Sequence, residues 1–307
     1  MKTRSRHPEY IPLMLLALVF CVAFFTVPGF DQPWIFSSIL KNSSYYGVIA
    51  LGMLPVLISG DIDLSVGAQM AFYNVLCAAF LKNGRSILAA VSITMLIAIV
   101  VGCLQGAVIA GCHLNSVLTT IATSMLLIGT SSILSKGVTL YNLPKKMMIL
   151  GARKLLGISM PTLVWFFVAF LMALVLYQTY WGKFFYAVGH NALASEKAGV
   201  PILRTKMVGF ALESLFCAIS SIIYISQLGF APISTGQDVT YSSLTIAALG
   251  GVSFDGGRGK VLLVLAAGLM IGSLAALFTV AGVPSYYQNC IKGAILFAAI
   301  LTNFLKT

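Results

Sequence analysis

The residues best placed to do chemistry stand inside an oily run. Ile58-Ser59-Gly60-Asp61-Ile62-Asp63-Leu64-Ser65-Val66-Gly67 carries the carboxylates of Asp61 and Asp63 and the hydroxyls of Ser59 and Ser65. Gly60 and Gly67 are points where a helix can break. Charge at membrane depth is costly and marks pathways for ions and solutes. Broken backbone is tolerated there only where protein or a water-filled cavity satisfies it. The plain alternative is a short polar turn joining two helices at the membrane surface. Two more charges, Glu213 and Lys292, lie in other apolar runs. Facing each other, they would offset much of their mutual desolvation cost. Otherwise each snorkels, or Glu213 faces a pathway, because sequence does not fix helix rotation.

Several chemistries fail on spacing. Gly256-Gly257-Arg258-Gly259-Lys260 resembles a phosphate loop, but Phe254 occupies the first glycine position and Val261 follows the lysine. A sharp glycine-rich turn between two spans suits it better. Gly251-Val252-Ser253-Phe254-Asp255 lacks the closing glycine of a nucleophile elbow. His7, His113 and His190 have no partners at helical spacing, so neither metal nor cofactor is expected. The six cysteines fall mostly in or beside apolar runs, as small hydrophobes do. No enzymatic constellation emerges.

The elements that must position these residues are membrane spans. The chain of 307 residues is 59% hydrophobic and 9% charged, with a mean hydropathy of +0.97, whereas soluble domains carry about 25% charged residues. The net charge of +11 is scattered over loops and ends. It forms no basic stripe interleaved with aromatics, so nucleic acid is not expected. Apolar runs near 11–27, 44–58, 64–80, 87–110, 116–134, 162–180, 204–228, 239–250, 260–280 and 286–305 predict an all-α polytopic membrane helix bundle of about ten transmembrane helices (range about 8–10), some broken or re-entrant. The runs 44–58 and 239–250 are short and read as helices inside the bundle. Trp34, Tyr45, Tyr46, Trp165, Tyr180, Trp181, Tyr286 and Tyr287 fall near proposed ends, as interfacial aromatics do. The pairs Gly102/Gly106 and Gly268/Gly272 offer close helix approach. Ala50-Leu51-Gly52 and Ala248-Leu249-Gly250 form a faint internal echo ahead of the two glycine turns.

Two polar loops remain, 136–160 and 181–203, and counting spans puts them on opposite sides. Lys2, Arg4 and Arg6 before the first run favour cytoplasmic N- and C-termini, although five basic residues in 136–160 pull the other way. Within 189–203, Asn191 can cap a short helix over 192–198 and Gly199 can end it. Such a helix is a handle for a partner or an idle connector.

Together these stretches resemble the permease subunits of bacterial ABC sugar importers of the ribose type, a group related to branched-chain amino acid permeases. The run from Ile58 to Gly67 resembles that family's ISGGIDLSVG signature. Gly189 to Val200 resembles its cytoplasmic coupling helix. Gly250-Gly251-Val252-Ser253 with Gly256-Gly257-Arg258-Gly259 resembles its GGxSLxGGRG stretch. The likeness in span layout covers nearly the whole chain. It implies a single permease domain over 1–307 in the bacterial inner membrane, among lipid, beside a second permease chain. It also implies a cytoplasmic ABC ATPase and a periplasmic sugar-binding protein. Ser59, Gly60, Asp61, Asp63, Ser65 and Gly67 would form the translocation core. Gly189, Asn191, Ala194, Glu196 and Gly199 would couple to the ATPase. Gly250, Gly251, Gly256, Gly257 and Gly259 would form the second glycine-rich turn. The chain departs from the family at Asp61, where glycine is usual, and at Glu213-Ser214, where a Ser-Gly pair is usual. Asp238 stands near a position that is often Glu. The rival expectations are an ABC permease for branched-chain amino acids, an ion-coupled secondary transporter relaying through Asp61, Asp63 and Glu213, and a membrane scaffold.

Overall fold

The computed structural model describes residues 21, 30, 32–155, 157–233 and 236–304. Apart from Cys21, the 11–27 run lies outside the described residues, as do Lys2, Arg4, Arg6 and Lys306. Among the described residues the chain forms twelve helices and one small hairpin. They are α1 (Pro33–Ile58), α2 (Val66–Lys82), α3 (Ile87–Gly111), α4 (Ser116–Ser135), α5 (Lys145–Ala152), β1 (Lys154–Leu155), β2 (Ile158–Ser159), α6 (Met160–Gln178), α7 (Tyr180–His190), α8 (Ala192–Lys197), α9 (Ile202–Leu228), α10 (Gly236–Leu249), α11 (Val261–Val280) and α12 (Ser285–Phe304). By length and composition, five of these can cross a membrane: α3, α4, α6, α9 and α11. Helix α2 is apolar but shorter.

Helix α1 is the axis of the bundle, with α6, α7, α9, α10 and α11 all packed on it. Almost every residue from Val48 to Ile58 is sealed from solvent. This corrects the expectation of a short segment over 44–58. Lys41-Asn42-Ser43-Ser44 is polar enough to hide the start of the helix from a hydropathy reading. Ser43 and Ser44 are nevertheless buried, and the Ser44 hydroxyl donates back to the Lys41 carbonyl at 2.6 Å.

Small residues set the approach of the helices. Gly102 and Gly106 on α3 lie directly on the α9 backbone at Phe210 and Lys206–Met207. Gly272 on α11 lies on Ser43 of α1, while Gly268 and Gly47 flank the ring of Trp165. Trp165 is thus completely enclosed, and Tyr46 is 6% exposed. Both belong to the interior and not to an interfacial belt. Trp34, Tyr180 and Tyr287 do lie exposed at or near helix ends.

The two polar loops lie at opposite ends of the bundle. The loop 136–160 contains α5 and the hairpin, and its Leu140 bridges Ala231 just past the end of α9. At that far end Cys77, Leu81, Ala90, Leu143, Met147 and Ile225 form one apolar cluster. The other loop, 181–203, contains α7 and α8 and lies at the near end, where α9 begins. The stretches read as loops are largely helical because short amphipathic pieces pack against the bundle, a tertiary effect that local polarity conceals.

The close contact at Gly102 yields a stability test. Gly102→Val places a branched side chain into the Phe210 carbonyl, and overpacking of this kind costs about 1–3 kcal/mol or more. Thermal unfolding in detergent should show a clear drop. Gly129→Val should unfold close to wild type, since nothing lies within 4 Å of a side chain added there.

Candidate functional site

The signature run begins where α1 stops. Gly60 N–H donates to the Leu57 carbonyl at 3.0 Å, and Asp61 N–H donates to the Val56 carbonyl at 3.1 Å. Gly60 sits at φ +83°, a left-handed conformation that side chains rarely adopt. These are the paired bonds of a Schellman cap. The chain then runs without helix to Ser65, and α2 begins at Val66. Helix α4 satisfies the open backbone. The Ser116 hydroxyl accepts from Ile62 N–H at 3.3 Å, and Thr120 Oγ1 accepts from Leu64 N–H at 3.1 Å. Ser124 donates to the Leu64 carbonyl at 3.4 Å. Spaced four apart, these hydroxyls lie along one face of α4. That spacing was visible in the 116–134 run, and nothing tied it to the turn.

Asp63 is 1% exposed and accepts three hydrogen bonds. One oxygen accepts from Ser65 N–H, and the other from Gln105 Nε2 at 3.0 Å and Gln69 Nε2 at 3.2 Å. Both amides also donate to the Ser65 hydroxyl, Gln69 at 2.9 Å and Gln105 at 3.2 Å. Asp63 therefore ties the first turn of α2 to α3. Gln69 and Gln105 are partners of Asp63 that motif reading missed, because an isolated glutamine in an apolar span carries no spacing signal. Glu213 on α9 lies fully buried beside Asp63.

Asp61 has a different partner. Lys206, on the first turns of α9, donates to its Oδ1 at 3.0 Å and lies 2.8 Å from Oδ2. Their side chains are 19% (Lys206) and 8% (Asp61) exposed. Lys292 does not meet Glu213. It pairs with Asp238 on α10 at 2.9 Å, and the Tyr46 hydroxyl donates to the other Asp238 oxygen.

The three stretches singled out in the sequence meet at the near end. Gly257 N–H donates to the Ile58 carbonyl at 2.8 Å. Gly189 presses on that same carbonyl and on Gly257 N, leaving no room for a methyl group. Gly256 lies against Gly189 and Gly60, and Gly259 lies against Ile58 and Leu54. The Tyr186 hydroxyl donates to the Gly259 carbonyl at 2.7 Å. Gly251 closes α10 in the same way that Gly60 closes α1, with Val252 N–H donating to Ala247 O at 3.1 Å and Gly251 N–H to Ala248 O at 3.0 Å. The Ala-Leu-Gly echo is not the true correspondence, since Gly52 is mid-helix and packs on Phe216. Gly250 packs on Val264, beside the junction and not in it.

Helix α8 forms as its caps dictate. Asn191 Oδ1 accepts from Ala194 N–H at 2.9 Å, and Gly199 ends the helix at φ +86°. Leu193, Ala194 and Glu196 are exposed on it. Gly189 lies in α7 and not in this short helix, a correction to the expected element. Its role is the close contact with Ile58.

A double-mutant cycle tests the Asp61–Lys206 pair. Asp61→Gly leaves the mostly buried Lys206 without its partner, which should destabilise more than Asp61→Gly/Lys206→Met. Thermal unfolding of the four proteins should give a coupling of about 1–3 kcal/mol. Additivity would show that the pair is incidental.

A family profile described as "Branched-chain amino acid transport system / permease component" matches residues 35–300. The L-arabinose transport system permease protein of Escherichia coli (strain K12) is 32% identical over 97% of this chain and 91% of its own. The L-arabinose ABC transporter permease protein of Azospirillum brasilense is 30% identical over 94% and 85%. The ribose import permease protein of Bacillus subtilis (strain 168) is 28% identical over 96% and 92%. No solved structure matches the chain. These relatives are transport permeases and not enzymes, and the described helices are those of a multi-pass protein of the inner membrane. ABC permeases of this kind work with a separate ATPase and a periplasmic binding protein. The chain belongs to the permease family of ABC importers that includes these sugar transporters.

Proposed function

We propose that this chain forms, with a second permease chain beside it, the path for a sugar or similar small polyhydroxylated solute, and that an ATPase docked on α8 drives it. About ten spans, a single domain over 1–307 and lipid around it complete the expected assembly. The near end is then cytoplasmic, with both termini on that side. Relatives named for L-arabinose, ribose and autoinducer 2 support the cargo class.

The observation that carries the mechanism is the contact of Gly189 with Ile58. Helix α8 follows α7 directly, and α7 ends against the last carbonyl of α1. A displacement of α8 is delivered through backbone atoms to the turn that separates α1 from α2. The atoms nearest to Gly189 at that contact are backbone atoms of Ile58 and Gly257. Asp63, Ser65 and Gly67 hold the far side of the turn, so the translocation core moves as a unit with α2.

The ion-coupled alternative loses two of its three relay residues, leaving Glu213 sealed beside Asp63. Asp61 is paired with Lys206, and Asp63 accepts hydrogen bonds from Gln69, Gln105 and Ser65. Neither has the exposure expected of a group that exchanges ions with both sides of the membrane.

Replacing 191–199 with a Gly/Ser linker should abolish co-purification of the ATPase, and unchanged recovery would sink the docking role of α8. Uptake of labelled L-arabinose or D-ribose should survive collapse of the ion gradients and stop on ATP depletion. The reverse pattern would establish the ion-coupled transporter.

A further inference from the structure

Away from the junction, the described residues hold a second concentration of polar groups that the coupling contact does not use. Asp238 on α10 and Lys292 on α12 form their ion pair at the wall of a cleft of about 360 Å³, within the size range of ligand sites. Tyr45, Tyr46, Asn42 and Gln288 line the same cleft.

Its depth is informative. Tyr46 is twelve residues before Ile58 on α1, or about 18 Å along the helix. Helix α1 has 26 residues and is therefore about 39 Å long. The α1 wall of the cleft is thus near mid-height, while Ala275, Thr279, Gln288 and Asn289 carry the cleft toward the far-end turn between α11 and α12. Two helices also begin at this level. Gly67 N–H, in the first turn of α2, donates to Thr240 Oγ1 in the first turns of α10 at 3.1 Å. The two then diverge: α2 ends in the far-end cluster with Ile225, whereas α10 ends at the near-end glycine junction. Discontinuous helices that begin near the bilayer middle are where transporters place their substrate sites.

The side chain of Asp238 is 39% exposed. A carboxylate that open does not face hydrocarbon, so the cleft opens onto water or protein. Its charge is matched by Lys292, so the cleft has no net charge and suits a neutral guest. A carboxylate has acceptor capacity beyond the Tyr46 and Lys292 bonds, and an ammonium has donors beyond the one given to Asp238. Side by side they can take both the donor and the acceptor of adjacent hydroxyl groups. The Tyr46 ring is covered, with Lys292 Nζ 5.4 Å from its centroid, so the partly exposed ring of Tyr45 in the cleft wall gives the apolar face for the C–H side of a pyranose or furanose.

Resting on the sugar-import reading above, we infer that the Asp238–Lys292–Tyr46 cleft is a sugar-contacting site within the permease, where a neutral polyhydroxylated solute is held between release from the binding protein and delivery to the other side.

The test uses the complete complex of permease, ATPase and binding protein in proteoliposomes, with ¹⁴C-labelled L-arabinose and D-ribose as probes. Asp238→Asn should recover intact complex within twofold of wild type and lower the initial uptake rate at least tenfold. The exchanged variant Asp238→Lys/Lys292→Asp should restore any lost stability without restoring uptake. Asn42→Leu, which leaves the ion pair untouched, should also lower uptake several-fold and guards against misfolding of the charge variants. Wild-type rates in Asp238→Asn or Asn42→Leu overturn the site. Full uptake by the exchanged variant shows the pair to be a strut only. Selective separation of the two permease chains shows the cleft to be their interface. If the wild-type complex hydrolyses ATP with binding protein present yet transports neither sugar, the cargo assignment itself falls, and this site falls with it.

Discussion

The structure depends on one constraint: peptide groups inside a bilayer must find partners within the protein. Interrupting the chain between Ile58 and Val66 opens several of them. The Schellman cap at Gly60 closes the α1 side, Asp63 takes the Ser65 N–H, and the hydroxyls of α4 serve Ile62 and Leu64. The break is therefore stable without solvent. It yields an element, α2, of 17 residues, shorter than the 25 of α3 and the 27 of α9.

The same constraint explains the glycines at the near end. The Ile58 carbonyl is left open by the end of α1 and receives the Gly257 N–H. Only backbones in near contact can build that bond, so Gly189, Gly256 and Gly60 stand together with no side chain between them. The charged residues follow a parallel rule, since Asp61 and Asp238 each have a lysine within reach. Removing one member of such a pair strands the other, which is the larger cost.

Much of this was legible in the amino-acid chain. The turn at Gly60, the capped helix between Asn191 and Gly199, and the close-packing roles of Gly102/Gly106 and Gly268/Gly272 each follow from a local rule about backbone or size. What escaped was long-range. Lys206 reads as an ordinary basic residue near a loop, and nothing local announces Asp61 as its partner. Gln69 and Gln105 acquire meaning only when α2 and α3 are adjacent. Trp165 and Tyr46 look interfacial by residue type, yet glycines across the packing surface make room for them inside. The start of α1 was concealed by polar side chains that the bundle itself hydrogen-bonds or buries.

The ion pair within the signature run also bears on biosynthesis. Asp61 and Lys206 are 145 positions apart. At about 5–20 residues per second, the ribosome needs roughly 7–30 s to bring the cation after the anion. During that interval α1 and α2 already exist with an unmatched carboxylate where they join. The N-terminal half therefore cannot settle into its final seat early. The seam between α1 and α2 is complete only when α9 brings Lys206 to Asp61.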